Sequence, residues 1–310
     1  MKTKVSKPIK MYRALLYVCM ALMTTNCQKY PLGLFDDKPD LCNAYFGEAA
    51  PDSIPLRFCA DFFSDELHTP PVFSPDGLEV YWKPISSYGY AKIFEMRLEG
   101  DQWSKPFYAS FNFNCINDAP FITADGERLY FLSSKESNYK HFDENIYYTT
   151  RSGNDWSDPK MVSEHINDFA LHWGFSVAQN YNLYFQDADS HDLYYSRFVK
   201  GEYLEAEKLP ETINSFTLME GTPFIAPDES YLIFDRREGG HSDLYISFRD
   251  KDGKWQEAVR MGAAINTTGN EIYAQLSADM KYLFFLRMTN SGCFPYWVDT
   301  SVINTLKPDQ

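Results

Sequence analysis

The sequence predicts an all-β fold, a five-bladed β-propeller of four-stranded antiparallel blades closed by an N-terminal strand. Three observations carry this. Aromatic residues make up 17% of the 310 residues, with 22 Tyr and 24 Phe, a composition that favours strands. One segment recurs five times, its turn residue falling at 76, 125, 179, 228 and 279, in steps of 49, 54, 49 and 51. Such self-similarity is the mark of a repeat architecture. The last copy runs out of strands, while an unassigned strand precedes the first.

In chain order, residues 1–26 come before any fold. Lys2, Lys4, Lys7, Lys10 and Arg13 make a basic start, Ala14 to Met23 an apolar run, and Thr24, Thr25 and Asn26 a small polar stretch before Cys27. That order is a secretory signal. Leu22-Met23-Thr24-Thr25-Asn26-Cys27 resembles a bacterial lipobox, with Thr24 and Asn26 where the strict motif has Leu and a small residue. The resemblance implies cleavage before Cys27 and acylation of its thiol. The expected division is 1–26 signal peptide, 27–52 lipidated N-terminus and tether, and 53–310 propeller. The expected place is the outer membrane of a bacterial envelope, on its periplasmic or surface side.

Each copy then begins with an apolar strand and a turn. Pro71-Val72-Phe73-Ser74-Pro75-Asp76-Gly77 leads to Val80-Tyr81-Trp82, and Pro120-Phe121-Ile122-Thr123-Ala124-Asp125-Gly126 to Leu129-Tyr130-Phe131. Copy three is degenerate, with Gln179-Asn180 at the turn before Leu183-Tyr184-Phe185; copies four and five turn at Asp228 and Asp279. Pro presets φ, Asp binds the backbone locally, and Gly accepts the left-handed conformation that follows. The aromatic runs barely alternate, so both faces of these strands should be covered.

A third strand follows in Ile93 to Arg97, Ile146 to Arg151, Leu193 to Arg197 and Leu244 to Ser247, with Tyr296 to Asp299 in copy five. A fourth is expected around Trp103, Trp156, Tyr203 and Trp255. Four-stranded sheets packed face on face in a ring cover one another and leave short edges. Copy five ends in Ser301 to Leu306, which reads as a short helix, so Ile54 to Phe58 should complete the last blade.

The Ser-Pro-Asp-Gly turn, Leu-Tyr-Phe, Asp-Leu-Tyr-x-Ser and Trp strand resemble the WD-like propeller repeats of the TolB type, over about 250 residues. The resemblance implies an exported propeller acting as a binding or scaffolding module. TolB itself has six blades, which keeps six as the alternative to the five counted here.

Residues 1–26 hold five of the 29 basic residues and none of the 43 acidic ones, so the remaining chain carries a net charge of −19. Such a surface repels phosphate backbones and argues against nucleic-acid partners. After Cys19 and Cys27, four thiols remain, at 42, 59, 115 and 293, with no C-x-x-C spacing. They read as free buried thiols, or with Cys59 and Cys293 bridged across the ring closure.

Candidate site residues lie where a propeller gathers its loops. Counting from the turns places His68, Asn117, Leu171, Glu220 and Glu271 around one mouth of the channel, with His172 one residue beyond Leu171. His191 and His241 precede Asp192 and Asp243 in the loops on that face, among Ser86 to Ala91, Lys135 to Glu144, Asp187 to His191, Glu238 to Ser242 and Met288 to Phe294. No metal or cofactor motif, G-x-S-x-G, H-E-x-x-H or P-loop is present. The expected function is a non-catalytic, monomeric envelope lipoprotein whose propeller binds a protein or a glycan. The alternative is a carbohydrate-active enzyme, glycosidase or lyase, using Glu220 and Glu271 as channel carboxylates.

Overall fold

A computed structural model describes residues 43–85, 92–135 and 144–308. The segment 1–26, Cys27, Cys42 and the loops at 86–91 and 136–143 lie outside the described residues.

The described residues fold into five antiparallel blades. Blade one runs Val72–Phe73, Glu79–Trp82, Phe94–Glu99 and Phe107–Tyr108. Blade two runs Asn117–Ile122, Arg128–Ser133, Asn145–Ser152 and Lys160–Met161. Blade three runs Phe175–Val177, Leu183–Asp187, Asp192–Ser196 and Glu207–Lys208. Blade four runs Met219–Ile225, Tyr231–Glu238, His241–Phe248 and Val259–Arg260. Blade five takes Asn270–Leu276, Tyr282–Thr289 and Gly292–Asp299 from the C-terminal end. Its fourth strand is Leu56–Arg57, with Leu56 opposite Trp297 and Arg57 opposite Tyr296. This is the expected closure, and the expected short helix follows the last strand as Ser301–Asn304.

The second strands sit in the middle of the packing. The triplets Val80-Tyr81-Trp82, Leu129-Tyr130-Phe131, Leu183-Tyr184-Phe185, Leu232-Ile233-Phe234 and Leu283-Phe284-Phe285 are all at most 1% exposed, so the absence of alternation does report cover on both faces.

The turns form as their residues dictate. Asp76 accepts hydrogen bonds from the Ser74 hydroxyl (2.6 Å) and Leu78 N–H (3.0 Å), and Asp125 does the same for Thr123 and Glu127. The next residue is left-handed in every copy: Gly77, Gly126, Tyr181, Glu229 and Met280. In copy three Asn180, not Gln179, accepts from Asn182 N–H and plays the Asp part. The turn there lies one residue later than the sequence count placed it.

Three expectations need correction. The recurring aromatics form fourth strands only in part: those of Trp103 and Trp156 pair with the third strands of blades one and two, those of Tyr203 and Trp255 do not pair with theirs, and the outer edge strands are short segments that follow the aromatics. Trp103, Trp156 and Tyr203 sit in short hairpins just before them, and Trp255 makes one bridge to Arg249. From there they reach the preceding blade: Trp156 Nε1–H donates to the Tyr81 hydroxyl (2.9 Å), which donates to Glu79 (2.9 Å). Arg151 forks onto the same carboxylate while its guanidinium lies 3.8 Å over the Trp156 ring. Trp156 is 7% exposed, whereas Trp255 is half-buried under Arg249. Trp156→Ala should therefore cost about 3–5 kcal/mol, and Trp255→Ala only about 1 kcal/mol. Urea unfolding of both variants checks this; equal midpoints would contradict it.

Second, of the two readings of the thiols the free, buried one holds for Cys59 and Cys293, and the alternative of a bridge between them falls. Burial first, then nearby carboxylates, pushes both up to about 12.

Third, the packed body starts before residue 53. Asn43 N–H donates to Asp101 O, and Trp103 Nε1–H to Asn43 O. Phe46 is buried against Phe58, Phe62, Phe63, Phe73 and Trp103, so residues 43–52 belong to the seam between blades five and one rather than to a tether.

Candidate functional site

At one end of the channel the innermost strands bulge. Their registers shift between Asp118 and Phe121, Gly221 and Phe224, and Ile272 and Gln275. Each bulge holds a non-glycine residue left-handed: Ala119 (φ 46°), Thr222 (38°) and Tyr273 (55°); blade three adds Trp173 (40°). A β-branched or bulky residue at positive φ is strained, and bulges re-aim side chains where a strand meets a site. Trp173 lies seven residues before its turn residue Asn180; in the other three the interval is six. That extra residue brings an indole to the mouth.

Below the bulges the channel encloses only about 20 Å³, room for about one water. At the mouth a cleft of about 240 Å³ opens over blades three, four and five; a wider one of about 570 Å³ lies on the opposite face between the turns of blades one and two, where Glu79 is already forked by Arg151.

The mouth is polar and tightly organised. Asp118 accepts from Lys83 Nζ (3.1 Å) and Ala119 N–H, and lies 2.7 Å from His68 Nδ1. Burial alone would raise this carboxyl, but the charges of His68 and Lys83 outweigh burial and hold it far below the ordinary range. His172 Nδ1 lies 2.9 Å from Glu144. Trp173 neighbours both imidazoles, near-parallel to His68 at 6.1 Å and edge-on to His172 at 4.5 Å, and remains 40% exposed. The Thr222 hydroxyl donates to Asp235 and accepts from Tyr273 N–H (3.0 Å), tying the bulge of blade four to that of blade five. Burial raises Asp235 to about 6, the Thr222 bond offsetting part of the effect. The Tyr273 hydroxyl is buried without a partner; burial and then the charges of Asp118, Glu144 and Asp235 hold it protonated.

The sequence-picked residues divide. His68, His172 and His191 are at the mouth or lining its cleft. Asn117, Glu220 and Glu271 are fully buried and hold the chain entering their own blades. Asn117 bonds to Phe113 and Cys115. Glu220 pairs with Arg236 and Glu271 with Arg287, both at 2.8 Å, and each arginine also donates to a carbonyl of the preceding linker. Leu171 is a core residue, and the one-residue shift of the copy-three turn gives its place to His172. His241 approaches Asp243 and Glu271 closely enough for a shared cation. Yet Asp243 is forked by Arg260 and Glu271 is met by Arg287, so both carboxylates are already neutralised.

The sequence reading missed Lys83, Asp118, Trp173, Gln186 and Asp235. A signal for three of them is plain. The residue after each aromatic triplet is Lys83, Leu132, Gln186, Asp235 and Leu286. Where packing asks for Leu, three blades carry buried polar groups, which cost free energy unless they have a task.

No protein-family model matches the chain, and no curated protein is similar to it in sequence. Among solved structures it is similar to a TolB-type protein from Agrobacterium tumefaciens, with TM-score 0.50 and 16% identity, covering 71% of this chain and 69% of that one. It is also similar to TolB from Acinetobacter baumannii (TM-score 0.45, 14% identity, 74% and 53% covered) and to a glycosyl hydrolase from Bacteroides ovatus (0.47, 10%, 79% and 86%). The first likeness shows the propeller fold and nothing of function. Among the described residues no helix is long and apolar enough to cross a membrane.

Proposed function

We propose that the chain is an exported lipoprotein, anchored through Cys27 to the outer membrane, whose propeller binds a glycan at the channel mouth without transforming it. The observation that carries the reading is Trp173. Its strained backbone presents a two-fifths exposed indole beside a polar cleft, an apolar face with few fixed hydrogen-bonding groups around it. A sugar ring offers the complementary surface: an apolar face edged by hydroxyls.

The enzymatic alternative finds less support. A glycosidase needs two carboxylates flanking one bond. Of the carboxylates lining the cleft, Glu220 is 0% exposed and committed to Arg236, which leaves Asp235.

Anchoring fits the geometry. Asn43 contacts Asp101 in a third-to-fourth-strand turn, and Tyr45 contacts Asp279 in a first-to-second-strand turn. The cleft lies on the face opposite this N-terminal entry. Mass spectrometry of the mature protein should find an acylated Cys27 at its N-terminus; a free, membrane-detached chain beginning elsewhere would contradict the anchor. Affinity electrophoresis through gels containing polysaccharides tests the binding. Retardation that Trp173→Ala abolishes is expected, and indifference to every polysaccharide would overturn the reading.

A further inference from the structure

We propose that the glycan is acidic, a uronate-bearing chain whose carboxylate is received by Arg237; this rests on the glycan reading above.

The second strand of blade four carries Arg236 and Arg237 side by side, pointing to opposite faces. Arg236 is consumed by Glu220. Arg237 is exposed and lines the cleft. Every other arginine among the described residues has a hydrogen bond, an ion pair or a ring beneath it; Arg57, for example, donates to Phe63 O and lies over Phe294. Arg237 has none of these. Its charge reaches Asp235, two residues along the same strand, and opposes the burial that raises that carboxyl, but in a chain of net charge −14 with 43 acidic residues an exposed guanidinium with no hydrogen bond of its own at a cleft suits an incoming anion. Its planar fork suits a carboxylate, with two parallel N–H donors to two oxygens.

A second group in the cleft independently asks for a ligand. Gln186 is 6% exposed, and its Oε1 is buried without a hydrogen-bond donor. An orphaned acceptor of this kind costs free energy that an incoming hydroxyl recovers. The cleft thus presents three complementary features: an indole face at Trp173, an acceptor for a hydroxyl at Gln186, and a fork for a carboxylate at Arg237. A six-membered sugar with a carboxylate at one corner and hydroxyls around its ring satisfies all three. A neutral hexose leaves Arg237 unmatched, and a small inorganic anion leaves Trp173 and Gln186 unused.

The test is calorimetric titration of the mature protein with oligogalacturonate, oligoguluronate and glucuronate-containing oligosaccharides, each against its methyl ester, which keeps shape and removes charge. At least one acid should bind tenfold or more tighter than its ester. Arg237→Gln should erase that preference while leaving the ester's affinity unchanged, and Arg237→Lys should retain part of it. Acid and ester binding equally, with Trp173→Ala still abolishing both, would overturn the acidic class and leave the glycan reading standing. No binding of any glycan would remove both. Because Arg237 is exposed and unpaired, an unchanged melting temperature for each variant is the control that its fold is intact.

Discussion

Deleting residues 53–60 is expected to abolish the monomeric fold. The deletion removes Leu56–Arg57, leaving the Gly292–Asp299 strand as an open edge, and open edges invite intermolecular pairing. It also removes Phe58, which is fully buried and packs against Phe46, Phe63, Phe73, Phe284 and Trp297. Phe58→Ala alone should cost about 3–5 kcal/mol, a large part of the roughly 5–15 kcal/mol that holds a domain together. Phe46→Ala should also destabilise, because Phe46 belongs to the same cluster. Size-exclusion chromatography and thermal melting check all three. A truncated chain that stays monomeric and melts as before would mean that the ring is held elsewhere.

The largest functional effect is expected at Trp173. Trp173→Ala should weaken glycan binding at least a hundredfold, the scale of about 2–4 kcal/mol for a central aromatic anchor, with little loss of thermal stability because the indole is two-fifths exposed. An alanine at this position keeps the strain of φ 40°, so Trp173→Gly, which accepts that φ freely, separates loss of the indole from backbone strain. Both variants should lose binding alike. Retained affinity in either would show that the indole is not the platform.

Much of the fold was legible because the turn chemistry is local. An Asp two residues after a hydroxyl, followed by a left-handed position, states its conformation in sequence, and repetition multiplied the signal. The strand count and the closure followed, since a sheet lacking its edge strand at one end of the chain must recruit it from the other. What was lost was registration by one residue. Copy three has no Asp, so Gln179 stood in for Asn180, and His172 was displaced from its ring position. The fourth strands of blades three and four were misplaced because the aromatics were conspicuous while the strands themselves, Glu207–Lys208 and Val259–Arg260, are exposed.

The candidate site was harder to read. Glu220 and Glu271 recur at equivalent places because each blade needs its linker pinned, and the repeat comparison that found them also explains them. The mouth is built from departures from the repeat instead: Lys83, Gln186 and Asp235 after aromatic triplets, and Trp173 just before the first strand of blade three, where the chain carries one extra residue. Asp118 and His68 gain their meaning only across a blade boundary, where one comes from blade two and the other from the chain entering blade one. Pairing of that kind has no sequence spacing.

The most direct test is fluorine NMR of protein labelled with 5-fluorotryptophan. Six tryptophans give six resonances, at 82, 103, 156, 173, 255 and 297, and loss of one signal in Trp173→Phe assigns the indole at the mouth. On titration with a bound glycan, the Trp173 resonance should move while those of Trp82, Trp103, Trp156 and Trp297, all at most 8% exposed, stay in place. A ligand that shifts Trp255 and leaves Trp173 unmoved would place binding on the rim of blade four and contradict the account.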